Sequence, residues 1–425
     1  MKMKSEGRNP KAERRPKSET RIHLAALAFL LLATGCATQP GLKFAFGAET
    51  KSGWTSVAPT NIYSADARFG FEPGAQIRAA DTFAGSDQPF YFSARLPEGN
   101  YRVTAVLGGD QDSRTTVKAE LRRLMLEKIH TAPGQTAERS FIVNLRTPRI
   151  SDTNHVHLKS REQTSEIWDW DDKLTLEFNG THPALQSLAI TKADVPTVFL
   201  MGDSTVCDQP AEPWNSWGQM LPRFFRPDVA VANHAESGET VADSLRAQRF
   251  EKIFSLMKPG DYLLVQFGHN DMKNKAANAL DVYRVNLKNI VARTRQLGGT
   301  PVLVTSMERK NGVSEQTLAG YPQAVREVAQ EEKCALIDLN AMSRVLYKAL
   351  GKDLDKAFQD GTHHNNYGSY ELAQCVVAGI KQARLPLAKS IAPGGGDFDP
   401  AHPDPVATFD MPASPNASTV KPLGN

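Results

Sequence analysis

Hydrophobic and polar positions change rhythm once along this chain, near residue 195. Before that point the apolar residues come in short alternating runs. These are Leu42–Phe46, Gln76–Ala80, Phe90–Leu96, Tyr101–Leu107, Phe141–Leu145, Val156–Lys159, Leu174–Phe178 and Leu185–Thr191. Turn-forming residues separate them, as at Pro97-Glu98-Gly99-Asn100 and Asn179-Gly180. A period of two over many short segments predicts the strands of a jelly-roll-type β-sandwich over residues 41–193. The stretch from Thr116 to Thr131 fits helical spacing as well as a strand. From Pro196 the runs become continuously apolar, at Thr197–Met201, Val229–Ala232, Tyr262–Phe267, Val302–Thr305 and Ala335–Leu339. Amphipathic stretches follow or lie between them: Trp214–Phe225, Val241–Met257, Leu280–Leu297, Tyr321–Glu332 and Tyr367–Arg384. This alternation predicts an α/β domain over residues 196–385, with a five-stranded parallel sheet covered by helices on both faces. The Pro- and Gly-rich tail, residues 386–425, predicts an extended or disordered strap.

Composition narrows the class without naming it. Two domains plus tails is the expectation for 425 residues, and a 40% hydrophobic share suits an ordinary globular protein. The net charge of +3 is nearly balanced, and much of the excess lies in the first 22 residues, so nothing argues for a nucleic-acid partner. Basic residues Lys11, Arg14, Arg15, Lys17 and Arg21 precede an apolar run that ends at Ala33-Thr34-Gly35-Cys36. That order predicts an export signal over residues 1–36, too short in its apolar part to span a bilayer. Cys36 after Thr-Gly resembles a bacterial lipobox, which implies lipidation and a protein held at the outer membrane or in the periplasm of a Gram-negative cell. On this reading the lipid is its only membrane contact. The remaining cysteines, Cys207, Cys334 and Cys375, include no C-x-x-C pair; they allow at most one disulfide and are expected to pack.

The polar residues that end the apolar runs carry the chemistry. In an open parallel sheet, ligands gather at the carboxyl ends of the strands. There the chain places Asp203-Ser204, then His234 to Gly238, then Gly268-His269-Asn270-Asp271, and Asp360-Gly361-Thr362-His363-His364 ahead of the last helix. Asp203 or Ser204 suits a helix cap, but Ser204 also suits a nucleophile. A serine hydroxyl needs a neighbouring base, which His363 can supply, and Asp360 three residues earlier can fix the imidazole tautomer. Acyl transfer further needs donors aimed at an oxyanion, for which the N–H groups of Ser204 and Gly238 and the amide of Asn270 are candidates.

These four ordered blocks resemble the SGNH (GDSL) hydrolases. The segments "GDSTVCDQP", "PWNSWGQMLPRFF", "ANHAESGET" and "DGTHHNNYG" look closer still to the rhamnogalacturonan acetylesterases. The resemblance implies a flavodoxin-like three-layer fold, a Ser204–His363–Asp360 triad and removal of acetyl groups from a pectin backbone with no metal or cofactor. It also implies that the N-terminal sandwich is galactose-binding-like, either gripping glycan or bracing the catalytic domain. The expected partner is an acetylated polysaccharide or oligosaccharide. Another acylated glycan such as xylan, or a non-catalytic glycan-binding lipoprotein, are the alternatives. His364 stands where the resemblance leads one to expect Phe, so it could alter pocket polarity or compete as a base. Trp214, His269 and His364 are candidate substrate contacts. Trp168, Trp170 and Trp217 could be sugar platforms or simply core. His155 and His157 alternate as strand positions do, with no carboxylate completing a metal site.

Overall fold

The computed structural model describes residues 41–47 and 51–423; the expected export signal over residues 1–36, with Cys36, lies outside the described residues. The N-terminal region is built from two β sheets packed face to face. One runs in the order Ala137–Leu145, Gly99–Leu107, Ala184–Lys192, Leu42–Phe46, Thr55–Val57; the other runs Phe69–Phe71, Phe90–Arg95, Lys173–Thr181, Ser113–Ala119, Arg123–Thr131. Pairing is antiparallel throughout these orders except where Leu42–Phe46 meets Thr55–Val57. Along Gly99–Leu107 the buried positions are Tyr101, Val103, Ala105 and Leu107, the inward half of a period-two strand. Phenylalanines fill the space between the sheets, with Phe46 edge-on to Phe92 at 5.0 Å and Phe90 stacked on Phe178 at 5.1 Å.

The ambiguous Thr116–Thr131 stretch is a hairpin that turns at Glu120-Leu121-Arg122. Val156–Lys159, by contrast, forms no strand. His155 makes one isolated bridge to Arg149, and the His157 N–H donates to the Ala247 carbonyl at 3.0 Å. That docking also accounts for a second departure. The expected helix over Val241–Met257 is two helices, Val241–Arg246 and Arg249–Leu256, because the loop takes the Ala247 carbonyl and Gln248 turns left-handed.

Beyond Pro196 the parallel sheet contains Thr197–Gly202, Ala230–Asn233, Tyr262–Gln266, Thr300–Val304 and Ala335–Ile337, its first to fifth strands. Their spatial order is second, first, third, fourth, fifth, all parallel. Alternation along the first strand divides the interior. Val198 and Leu200 face a core with Trp217, Leu346 and Val376, whereas Phe199 and Met201 face one with Phe250, Leu287 and Val328. Helices Ala279–Gln296, Tyr321–Glu331 and Asn366–Gln382 follow the expected spans closely. The Trp214–Phe225 stretch instead makes one helical turn, Trp217–Met220, capped by Ser216, and then a tighter turn containing Pro222, which lacks the N–H a longer helix needs. A helix at Leu339–Leu350 starts on its Asp338 cap and was not expected from the pattern.

The tail is described as far as residue 423 and packs along the rest of the chain. Phe409 packs on Tyr367 and Tyr370, Ser414 is buried, and Ala417 bridges to Glu212. The three cysteines are free thiols, with Cys207 and Cys375 buried.

Buried charge joins the sandwich to the parallel-sheet region. Arg123, at the end of the hairpin, donates to Asp208 at 2.8 Å, to Asp169 at 2.9 Å and to the Asn144 carbonyl at 2.8 Å. Arg123 and the Asp208 side chain have no exposed surface. Replacing Arg123 with Met leaves the buried Asp208 carboxylate without its cation, while Asp169 keeps Arg146 at 3.0 Å. We expect a loss of about 3–5 kcal/mol, read as a lower denaturation midpoint; an unchanged midpoint would show that the pair does not hold the two regions together.

Candidate active site

The first strand stops at Gly202, where an added Cβ would lie 2.7 Å from the Gln266 carbonyl oxygen, so only glycine fits between the first and third strands. The chain then turns without starting a helix, so neither Asp203 nor Ser204 is a helix cap, and the Asp203 side chain closes the turn instead. Its Oδ1 accepts from the Thr205 N–H at 3.0 Å and the Thr205 hydroxyl at 2.7 Å. Burial alone raises the Asp203 carboxyl, but neighbouring His269 and the Thr205 hydrogen bonds outweigh it and hold the group below its ordinary value. The Ser204 hydroxyl is left to point elsewhere.

It meets the imidazole of His363. Ser204 Oγ lies 2.8 Å from His363 Nε2, and His363 Nδ1 lies 2.9 Å from Asp360 Oδ2. Asp360 Oδ1 also accepts from the backbone N–H groups of Thr362 and His363, both at 2.7 Å. Burial works to raise this carboxyl, yet the hydrogen bonds from the His363 ring and backbone and from Thr362 drive it well below the ordinary range. Asp360 is therefore an acceptor. It holds the proton on Nδ1, so Nε2 is free to accept from the serine.

The other polar loops close around this pair. Gln209 Nε2 donates to the Ser204 carbonyl at 2.7 Å, and Gln266 holds the Thr205 hydroxyl at 2.8 Å while accepting from the Trp217 indole at 2.8 Å. Gly238 has φ of 77°, a conformation that favours glycine. Among the described residues, neither the Ser204 nor the Gly238 N–H donates to another backbone carbonyl. The Asn270 amide donates to the Glu239 carbonyl at 3.1 Å; an amide nitrogen carries two protons, so another remains for an acceptor in the site.

The substrate-contact expectations need correction. His364 is buried, its Nε2 2.9 Å from the Tyr347 hydroxyl and its ring 4.0 Å from that of Phe358. Burial, reinforced by nearby His363, pushes it down to about 3, so it is a neutral packing group and neither a rival base nor a substrate contact. His269 is also buried, with Nδ1 3.4 Å from Asp203, and supports the nucleophile turn from beneath. Trp214 stands edge-on to His363 at 5.9 Å, but only 6% of it is exposed and its indole N–H donates to the Ser418 carbonyl at 2.9 Å. The tail covers it. Trp170 and Trp217 are core. Among the described residues, no group of three or more His, Cys, Asp or Glu side chains is arranged to hold a metal ion.

Sequence reasoning missed the support that comes from the sandwich. Arg122 donates to the carbonyls of Gln209 at 3.1 Å and Trp214 at 3.0 Å, and it pairs with Glu212 at 2.6 Å. With Arg123 on Asp208, two consecutive arginines hold the loop that follows the nucleophile. No local pattern links positions separated by 85 to 92 residues.

Comparison with known proteins shows the family. The GDSL-like lipase/acylhydrolase family model matches residues 200–369. Rhamnogalacturonan acetylesterase RhgT of Bacillus subtilis is 36% identical over 212 residues, covering 45% of this chain and 91% of that protein. The chain belongs to the GDSL-like lipase/acylhydrolase family. This GDSL hydrolase is thus a carboxylic ester hydrolase, with the serine, histidine and aspartate blocks inside or adjoining the matched span. The uncharacterised esterase YxiM of the same organism is 26% identical over 373 residues, covering 80% of this chain and 90% of that protein. The crystal structure of YxiM matches with a TM-score of 0.45 at 23% identity, covering 81% of this chain and 99% of that one.

The state of His364 has a measurable consequence. An unfolded histidine binds a proton below about 6.5, whereas the folded site refuses it until about 3. Stability from this group is therefore complete above pH 6.5 and falls toward pH 3, by about 1.4 kcal/mol per pH unit. The His364→Phe variant should lose stability less steeply than the parent between pH 6.5 and pH 4 in urea titrations. Parallel slopes would mean that His364 is not held neutral.

Proposed function

We propose that this hydrolase removes acetyl groups from a polysaccharide, with acetylated rhamnogalacturonan as its substrate. The observation that carries the reading is the continuous line from Ser204 Oγ to His363 Nε2 at 2.8 Å and from His363 Nδ1 to Asp360 at 2.9 Å. Similarity to a relative named as a rhamnogalacturonan acetylesterase supports the choice of sugar.

The chemistry follows from the positions. Ser204 attacks the acetyl carbonyl as its proton passes to His363, and Asp360 stabilises the imidazolium without itself becoming protonated. The developing oxyanion is met by the Ser204 and Gly238 N–H groups and the Asn270 amide, each such donor being worth about 3–4 kcal/mol. His363 then protonates the departing sugar hydroxyl, leaving acetyl-Ser204, and activates the water that releases acetate. The sandwich, galactose-binding-like on this reading, braces the nucleophile loop through Arg122 and Arg123. The basic and apolar N-terminal segment ending at Cys36 supports a lipoprotein of the outer membrane or periplasm, where extracellular glycan would be met.

The test is acetate release from acetylated rhamnogalacturonan, with acetylated xylan alongside. The parent should act on the pectin polymer. Ser204→Ala should lose at least about a thousandfold in kcat, and Asp360→Asn up to ~10⁴-fold. Release from xylan alone would replace the sugar in this reading. Equal silence of parent and variants on every acetyl ester would overturn the assigned catalytic machinery.

A further inference from the structure

Two depressions lie beside the loop that follows Ser204, and they share lining residues. One, of about 830 Å³, lies between Trp214 and Ser237 on one side and the strap from Asn416 to Leu423 on the other. The second, of about 510 Å³, reaches away toward Tyr91 and Trp168 of the N-terminal region. Ser165, Pro210 and Asn416 line both, so they form one groove with a waist.

Its near end is tied to the chemistry. Gln209 lines it and also donates to the Ser204 carbonyl, and Ser237 precedes Gly238. A ligand in the groove therefore lies against the same loops that hold the nucleophile. At the far end Trp168 is half-buried, unlike Trp170, Trp214 and Trp217, which are buried. Its ring is set edge-to-face with Tyr91 at 5.3 Å, and the Lys173 ammonium, held by Glu72 at 2.6 Å, lies 5.5 Å from it. The ammonium lies over one side of a half-buried indole, and an aromatic surface beside polar groups suits the C–H face and hydroxyl rim of a sugar ring. Pockets of roughly 300–1,000 Å³ hold a small ligand each. Two in line are more than an acetyl ester needs and suit a chain of rings.

We infer that this groove binds the glycan chain on one side of the acetylated sugar, and that Trp168 stacks a sugar ring several units from the scissile ester. The inference rests on the polysaccharide esterase reading and adds a specificity-determining residue contributed by the N-terminal region. It makes the sandwich part of the substrate site, with the C-terminal strap as the opposite wall.

The test uses the full chain, Trp168→Ala and Trp168→Phe, assayed on whichever acetylated polymer the parent deacetylates and on p-nitrophenyl acetate. With the polymer, Trp168→Ala should raise KM about 3- to 10-fold with kcat unchanged, the size of one lost ring contact. Hydrolysis of p-nitrophenyl acetate should stay within about twofold of the parent. Trp168→Phe, which keeps an aromatic face, should recover most of the polymer KM. Polymer kinetics equal in parent and Trp168→Ala would overturn the subsite and leave the esterase reading standing. Equal losses on polymer and small ester would overturn it as well, by showing a structural effect only. A parent that cleaves p-nitrophenyl acetate but releases acetate from no polysaccharide overturns the polysaccharide reading and the subsite together.

Discussion

Asp208 has a carboxylate with no exposed surface four residues after Ser204, and much of the architecture answers to that fact. An isolated buried charge is costly, so the loop can take this course only where a cation and further donors meet it. Arg123 supplies the cation from the sandwich hairpin, and Asn233 at the end of the second parallel strand supplies an amide at 2.8 Å. The nucleophile loop is thereby anchored to both regions. A separate parallel-sheet domain would carry the same Ser204 on a loop whose buried carboxylate lacks its cation, and the two regions pack here as one compact unit.

The site above this anchor follows the usual logic of a parallel sheet. Strand order reverses around the first strand, and the crevice at its carboxyl end is where loops from both sides can converge. Asp203 closes the turn after the first strand, and the Ser204 hydroxyl meets His363. Asp360 is held ionised by donors from its own turn, and it fixes the imidazole in place. His269 and His364 lie beneath the reacting groups as buried support, one against Asp203 and the other against Tyr347.

The strap completes the surface from the opposite direction. Ser414 accepts from the buried Lys118 ammonium at 2.7 Å and donates to Glu177 at 2.8 Å, while Arg122 and Glu212 pair alongside. That network draws the last residues of the chain across Trp214, whose indole finds its acceptor on Ser418. A tail of low hydrophobicity is ordered here because it meets a row of buried donors and acceptors. The same contacts give the groove its second wall.

Much of this was legible in the residues themselves. Period-two runs such as Tyr101–Leu107 and continuous apolar runs such as Thr197–Met201 found their sheets, because burial on one face or on two leaves different patterns. Gly202-Asp203-Ser204 and Asp360-x-x-His363 could be read as nucleophile and base because each motif is local and the rules of a parallel sheet say where its loop must lie. What the sequence could not decide were matters of non-local contact. These include the break at Gln248 where a loop captures a carbonyl, the arginines that reach across more than 80 residues, and the order of the tail. The identity of the accessible tryptophan belongs with them: Trp214 has the right position in the chain, but the strap covers it, and Trp168 is left half-open. Local sequence determined which groups could react, since that depends on residue type and spacing. Tertiary structure decided which are held, covered or left open, since burial is a property of surfaces that meet only after the chain has folded.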